Sequence, residues 1–186
     1  LRSLVGSEMC IRDRCCGTGN QIKLLSKHGF RNLYCLDISD SMLEIAKRND
    51  SSIKIYNEDA TKTSFDTEFF DVVIISFAIH EKDRNTQQAL INEAYRIIKK
   101  DGFMFVVDYI FDNRTSKFGR ILISTIERIA GGEHFRNFKS YIKNKGLLGL
   151  IKKDKFKLIK YDRMLFRAVT ISVYQKRLLL YKSQSN

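Results

Sequence analysis

The stretch from Cys15 to Asp37 limits what this chain can fold into more than any other. It reads Cys15-Cys16-Gly17-Thr18-Gly19-Asn20, continues as an amphipathic helix, and rises into an apolar strand, Leu33-Tyr34-Cys35-Leu36, that ends in Asp37. Two glycines let the backbone turn tightly and approach a ligand where a Cβ would collide. A helix starting at such a turn aims its N–H groups at the ligand. A carboxylate at the end of the next strand can accept from both hydroxyls of a ribose. Strand, glycine turn, helix, strand and acid together form the nucleotide-binding half of a doubly wound α/β fold.

The missing residues narrow the ligand. A dinucleotide fingerprint asks for a third glycine three residues after the second, and that position is Ile22. A triphosphate loop asks for Gly-Lys-Ser/Thr, which is absent from the turn. An adenosine-like ligand without phosphates remains, which points to S-adenosyl-L-methionine.

With these residues in hand, the chain resembles a class I S-adenosylmethionine-dependent methyltransferase of the type 11 kind, which includes the ubiquinone and menaquinone methyltransferases. The resemblance rests on Asp13-Arg14-Cys15-Cys16-Gly17-Thr18-Gly19, Leu36-Asp37-Ile38-Ser39-Asp40-Ser41-Met42-Leu43, Asn57-Glu58-Asp59-Ala60, Phe70 through Ala78, and Lys99-Lys100-Asp101-Gly102, arriving in that order. It covers about residues 11–112. It implies a Rossmann-like, mostly parallel sheet with an antiparallel C-terminal hairpin, in the order 3-2-1-4-5-7-6, and a substrate lid inserted at about 113–152. Residues 15–186 are expected to form the methyltransferase domain. Residues 1–14 resemble a translated sequencing adaptor and are expected to be non-native or truncated. Ile11-Arg12-Asp13-Arg14 is a poor match to the continuous apolar run of a central strand.

The resemblance also implies a cofactor site. Asp13 falls where the family carries its motif acid, and Cys15, Gly17, Thr18, Gly19 and Asn20 form the turn. Asp37 takes the ribose, Asp59 and the Ala60 backbone take the adenine edge, and Ile38 and Met42 pack on the nucleoside. Ser76, Phe77 and Ala78 end the fourth strand, where open α/β sheets place ligands. His80 is the candidate catalytic base; the alternative is a partly exposed residue at a helix start, and Glu81 shares that ambiguity. His134 could face the substrate from the lid, and Asp108 and Tyr109 could line its pocket.

Periodicity places helices over Asn20–His28, with Ile22, Leu24 and Leu25 facing the sheet, and over Thr86–Lys100, stopped by Gly102. Ser41 and Glu44 match a capping box. Phe118, Leu122, Ile126 and Ile129 recur at helical spacing. A short strand is expected over Ile53–Tyr56, a central one over the long apolar run Phe70–Phe77, and further strands over Phe103–Phe111, Phe156–Phe166 and Ala168–Tyr174.

The four cysteines, Cys10, Cys15, Cys16 and Cys35, show no Cys-x-x-Cys spacing and no nearby histidine pair. Reduced thiols, no metal site and a cytoplasmic location are therefore expected. No apolar run reaches the roughly 18 residues of a membrane span. The net charge is +12, and from Arg136 to Lys182 there are 14 Lys/Arg against two Asp/Glu. Such a balance attracts nucleic acid or an anionic membrane surface, or merely solvates a face.

A small-molecule methyl acceptor is the favoured reading. An RNA or protein methyltransferase using the basic region is the first alternative, and a non-catalytic or cofactor-impaired fragment the second. A nicotinamide oxidoreductase is opposed by Ile22. The chain has no proline, which removes the Pro-Pro and Pro-Cys signatures of the common DNA-base methyltransferases. Oligomeric state is not legible here.

Overall fold

The computed structural model describes residues 10–14 and 16–178, without the side chains of Arg12 and Arg14. In chain order the elements are β1 (Ile11–Arg14), α1 (Asn20–Lys27), β2 (Leu33–Asp37), α2 (Asp40–Asn49), β3 (Lys54–Asn57), β4 (Phe70–Ser76) and α3 (Arg84–Ile97). They continue with β5 (Ile98–Tyr109), α4 (Lys117–Ile129), α5 (Gly132–Lys143), α6 (Gly146–Leu150), β6 (Phe156–Met164) and β7 (Val169–Lys176). One mixed sheet runs in the order β3-β2-β1-β4-β5-β7-β6. Strands β1 to β5 are parallel to their neighbours, while β7 lies antiparallel between β5 and β6.

Strand β4 shows why the sheet needs cover on both faces. Successive side chains of a strand point to opposite sides. Val72 and Ile74 join Ile11, Ile22, Leu33, Cys35, Leu43 and Ala46 in the core under α1 and α2. Val73 and Ile75 join Ile91, Ala94 and Ile97 of α3, and Phe138 and Tyr141 of α5, on the other side. A strand buried on both faces reads as a continuous apolar run, which is what Phe70–Ser76 is.

Strand β1 departs from that rule. Residues 11–14 were expected to lie outside the domain, yet they occupy the position between β2 and β4. Ile11 pairs with Leu33 and Val72, and Asp13 with Cys35 and Ile74. Ladder pairing uses backbone groups, so four residues with two neighbours hold the register without an apolar run. Residues 1–9, which carry the rest of the adaptor-like segment, lie outside the described residues.

Several local expectations are corrected. Leu24 is exposed, and Ile22 alone is buried in α1. The capping box does not form: α2 starts at Asp40 after Ser39, and Glu44 pairs with Arg48 instead. Helix α3 ends at Ile97 rather than running to Lys100, because Ile98 already pairs with Phe70 as β5 begins. A Cβ on Gly102 would lie 2.7 Å from Ile98 Cγ2 and 2.9 Å from the Asp71 carbonyl oxygen, so that glycine serves strand packing. Cys16 and Cys35 are not reduced thiols: they form a disulfide that ties the glycine turn to β2.

In α4 the buried stripe is Gly119, Ile123 and Glu127, whereas Phe118, Ile126 and Ile129 are exposed. The residues at helical spacing thus form a helix as expected, but the buried stripe lies beside them, with Leu122 half-buried. At the other edge, β6 exposes Lys157 and Lys160 and pairs only with β7. Lysines on an edge strand discourage strand-to-strand aggregation, which accounts for part of the late basic charge without a polyanionic partner. Among the described residues no helix is long and apolar enough to cross a membrane.

Candidate functional site

The glycine turn is built by contacts on both sides of it. Gly17 and Gly19 have φ of 50° and 70°, a region that suits glycine. The two differ in surroundings. A Cβ on Gly19 would lie 2.8 Å from the Ala46 Cβ of α2, while one on Gly17 would meet nothing within 4 Å. Gly19 therefore lets α2 approach, and Gly17 leaves open space beside the backbone. Among the described residues no side chain caps α1, so the N–H groups of its first turn are available to an incoming acceptor.

Asp37 closes the turn. Its Oδ2 accepts from Gly17 N at 2.9 Å and its Oδ1 from Ser39 N at 3.0 Å. A carboxylate offers about four lone-pair positions, so capacity remains for two hydroxyls. Asp13 lies behind it, almost fully buried, and its Oδ1 has no hydrogen-bond partner among the described residues. Burial and then the Asp37 charge push the Asp13 carboxyl up to about 7. An orphaned buried oxygen of this kind fits a cationic ammonium group, such as that of a methionine moiety.

Asp37, Ile38, Asp59, Ala60, Ser76, Phe77 and Ala78 line one cleft of ≈ 440 Å³. It sits beyond the carboxyl ends of β2 and β4, at the switch point where α/β sheets bind ligands. Ile38 is 73% exposed and Phe77 45%, so two apolar side chains stand open at its rim. Phe77 has φ 51° and its N–H donates to Val107 O at 2.8 Å. Asp59 Oδ1 accepts from the Thr61 N–H and hydroxyl. Ser76 Oγ donates to Gln21 Oε1 at 2.5 Å, joining β4 to α1.

The remaining predicted positions lie apart from the walls of that cleft. Thr18 holds α2 through its carbonyl, which accepts from Asn49 Nδ2 at 3.0 Å. Asn20 is the exposed first residue of α1. Met42 projects from α2, half-exposed. Cys15 lies outside the described residues.

His80 is not a partly exposed helix-start residue. It is buried, and Nδ1 lies 2.7 Å from Asp108 Oδ1. Asp108 is also buried and accepts from the backbone N–H groups of Ile79, His80 and Tyr109. Nε2 of His80 lies 3.5 Å from Glu127 Oε2. Burial by itself would depress the imidazole pKa, but the Asp108 hydrogen bond and charge, with Glu127 and Glu81, raise it above its ordinary value. His134 Nε2 is 2.7 Å from the same Glu127 oxygen, and its Nδ1 is 3.7 Å from Glu81. The ring of Tyr109 lies 4.6 Å from that of His80. Burial first, then Glu127, raises the Tyr109 phenol above its ordinary pKa. Tyr109 lines a second, mostly apolar cavity of ≈ 240 Å³ with Leu147, Leu158, Tyr161 and Tyr174.

The residue that periodicity missed is Glu127. A signal for it existed: it is an acid at i+4 from Ile123 and i+8 from Gly119, inside what proves to be the buried stripe. An ionisable residue at a core position needs a partner or a function.

Residues 13–106 match a family described as a methyltransferase domain. The demethylmenaquinone methyltransferase of Leptospira interrogans is 35% identical over 106 residues, covering 53% of this chain and 42% of that protein. A ubiquinone/menaquinone C-methyltransferase of Campylobacter jejuni is 26% identical over 110 residues, covering 55% and 45%. The chain thus matches under half the length of these curated relatives. Among solved structures, a protein from Pyrococcus horikoshii superposes with a TM-score of 0.71 at 19% identity, covering 95% of this chain and 85% of that one. A Methanosarcina mazei S-adenosylmethionine-dependent methyltransferase gives 0.69 at 15% identity, covering 95% and 96%.

Proposed function

The chain belongs to the methyltransferase domain family, and we propose that it takes S-adenosyl-L-methionine as cofactor and transfers a methyl group to a small-molecule acceptor of the quinone-precursor kind. The observation that carries this reading is the cleft itself: a ribose-type carboxylate, an exposed apolar rim and a second acid at the carboxyl ends of parallel strands. The match to quinone methyltransferases supports the acceptor class.

When bound, the cofactor supplies an electrophilic methyl on a sulfonium. The chain's own residues hold and orient. Asp37 accepts from the ribose hydroxyls, and the orphaned oxygen of Asp13 faces the ammonium group. Asp59 and the Ala60 backbone take the adenine edge, and Ile38 covers its face. Backbone at Ser76 and Phe77 borders the methionine part. Correct placement of reacting atoms can supply much of the rate enhancement in such a site. An enolate, phenolate or thiolate acceptor needs no strong base.

His80 fits a positioning role rather than that of a base acting on the acceptor. Both of its ring nitrogens face carboxylates. The insert of 113–152, which brings Glu127 and His134 to His80, serves as the acceptor lid in this reading.

The experiment is mass spectrometry of methylated products after incubating the protein with labelled cofactor and a metabolite extract. A methylated hydroxy-aromatic or quinol product supports the reading. Label incorporated into RNA or protein instead would replace it.

A further inference from the structure

We propose that His80, Glu127 and His134 form a binding site for a borderline divalent transition metal of the zinc class. One candidate ligand atom from each lies within 4.8 Å of the others. The three come from the segment after β4, from α4 and from α5, so the fold assembles them from distant points of the chain.

The geometry favours an ion over a hydrogen-bonded network. Glu127 Oε2 and His134 Nε2 lie 2.7 Å apart, yet both are buried atoms without a hydrogen-bond partner. A carboxylate oxygen and an imidazole nitrogen this close share a cation, either a proton on the imidazole or a metal ion, and the unmet hydrogen-bond geometry of both atoms is what a metal ion accounts for. Two ligands each about 2.05 Å from a tetrahedral ion sit about 3.3 Å apart. The 3.5 Å from His80 Nε2 to Glu127 Oε2 is close to that value, the 2.7 Å from His134 Nε2 to the same oxygen is shorter, and all three atoms lie within 4.8 Å of one another, so small side-chain shifts complete the ligand set.

The surroundings match what metal-bound imidazoles carry. A ligating histidine usually turns its other ring nitrogen to a carboxylate or carbonyl, which fixes the tautomer. His80 turns Nδ1 to Asp108 at 2.7 Å, and Asp108 is itself held by three backbone N–H groups. His134 turns Nδ1 toward Glu81 at 3.7 Å. Two imidazoles and a carboxylate suit zinc, iron and their neighbours better than magnesium or calcium, which prefer all-oxygen shells. His80 and Glu127 are sealed, but His134 is 26% exposed at its side chain. It borders a groove with Glu81, Lys82, Glu133 and Asn137. That groove is the entry path an ion requires.

The site stands independently of the methyl-transfer reading, and its test reads metal binding directly. Chelator-treated protein is titrated with ZnCl₂ by calorimetry and with CoCl₂ by visible absorption. One ion per chain and the intense d–d bands of low-coordinate Co²⁺ are expected. His134→Ala and Glu127→Gln should each weaken binding by at least about 10-fold, and Asp108→Asn by about 10- to 100-fold through loss of the outer hydrogen bond. Because Glu127 and Asp108 are buried, His134→Ala is the decisive variant, with far-ultraviolet circular dichroism confirming its fold. The melting temperature of the parent chain should rise on adding Zn²⁺ and that of His134→Ala should not. No binding by the parent chain, or equal binding by parent and His134→Ala, would overturn the proposal.

Discussion

At the carboxyl ends of β2 and β4 the molecule offers backbone and a half-exposed acid to a ligand. A few residues away, beyond the ends of β4 and β5, it buries two carboxylates and an imidazole with a second imidazole at their edge. The cofactor cleft draws on Asp37, Asp59 and Ser76, which follow one another along one half-domain, and leaves them open. The histidine–carboxylate cluster draws on Glu81, Asp108, Glu127 and His134, and closes over them. A site made of backbone and solvent-facing carboxylates tolerates exposure, because its groups are solvated until the ligand arrives. A site made of buried charges must be neutralised inside the fold, by protons or by an ion.

Substitutions on the two sides should behave differently, and the largest effect belongs to Asp37. Asp37→Ala removes the acceptor for two hydroxyls and the clamp on Gly17. Hydrogen bonds to a charged group contribute about 1.5–3 kcal/mol each, so affinity for S-adenosylhomocysteine should fall about 100-fold or more by calorimetry. An unchanged affinity would end the ribose assignment.

Next come the insert helices. Ile123 is buried and Ile129 is 80% exposed. Urea denaturation of Ile123→Ala should show a loss of about 2–5 kcal/mol, and Ile129→Ala no more than about 0.5. The reverse pattern would restore the face that spacing alone suggested.

The two glycines separate packing from binding. Gly19→Ala drives a Cβ to 2.8 Å from Ala46 and should cost about 1–3 kcal/mol of stability. Gly17→Ala meets open space and should cost about 1 kcal/mol through its positive φ, while weakening cofactor binding more than Gly19→Ala does at matched folding. Parallel melting and calorimetry of both variants would expose any failure of that division.

The smallest effect concerns pH. Asp13 keeps its proton up to about 7 in the fold but only to the ordinary 3.8 when unfolded. The folded state therefore binds the extra proton between those values. The stability this group contributes is complete below about pH 4 and is lost as pH rises through about 7. Asp13→Asn cannot ionise, so it should flatten that slope and gain about 1 kcal/mol over the parent at pH 8, the buried amide still lacking one partner. A parent-minus-variant melting difference that does not change between pH 5 and pH 8 would refute the buried-acid reading.

Residues close in sequence made the first half readable. The turn, Asp37, Asp59 and the apolar run of β4 declare themselves because strand alternation and helix starts are local patterns. The same logic failed at Ile11–Arg14, where four residues form a central strand with no apolar run, since neighbouring backbones supply the ladder. At α4 the helical spacing of Phe118, Leu122, Ile126 and Ile129 marks a helix that does form, but Ile123 and Glu127 are its buried pair. Spacing shows that a helix has an apolar stripe and says nothing of which stripe finds a partner when both faces carry isoleucine.

What the amino-acid order settled alone was the nucleotide half: its parallel βαβ architecture, its glycine turn, and the loss of dinucleotide character at Ile22. The tertiary structure decided which acids meet which histidines, that Cys16 bonds Cys35, and that Asp13 is sealed beside Asp37. The physical reason is range. Backbone conformation answers to residues a few positions away, whereas burial and electrostatic partnership are properties of elements brought together from 19 to 47 positions apart.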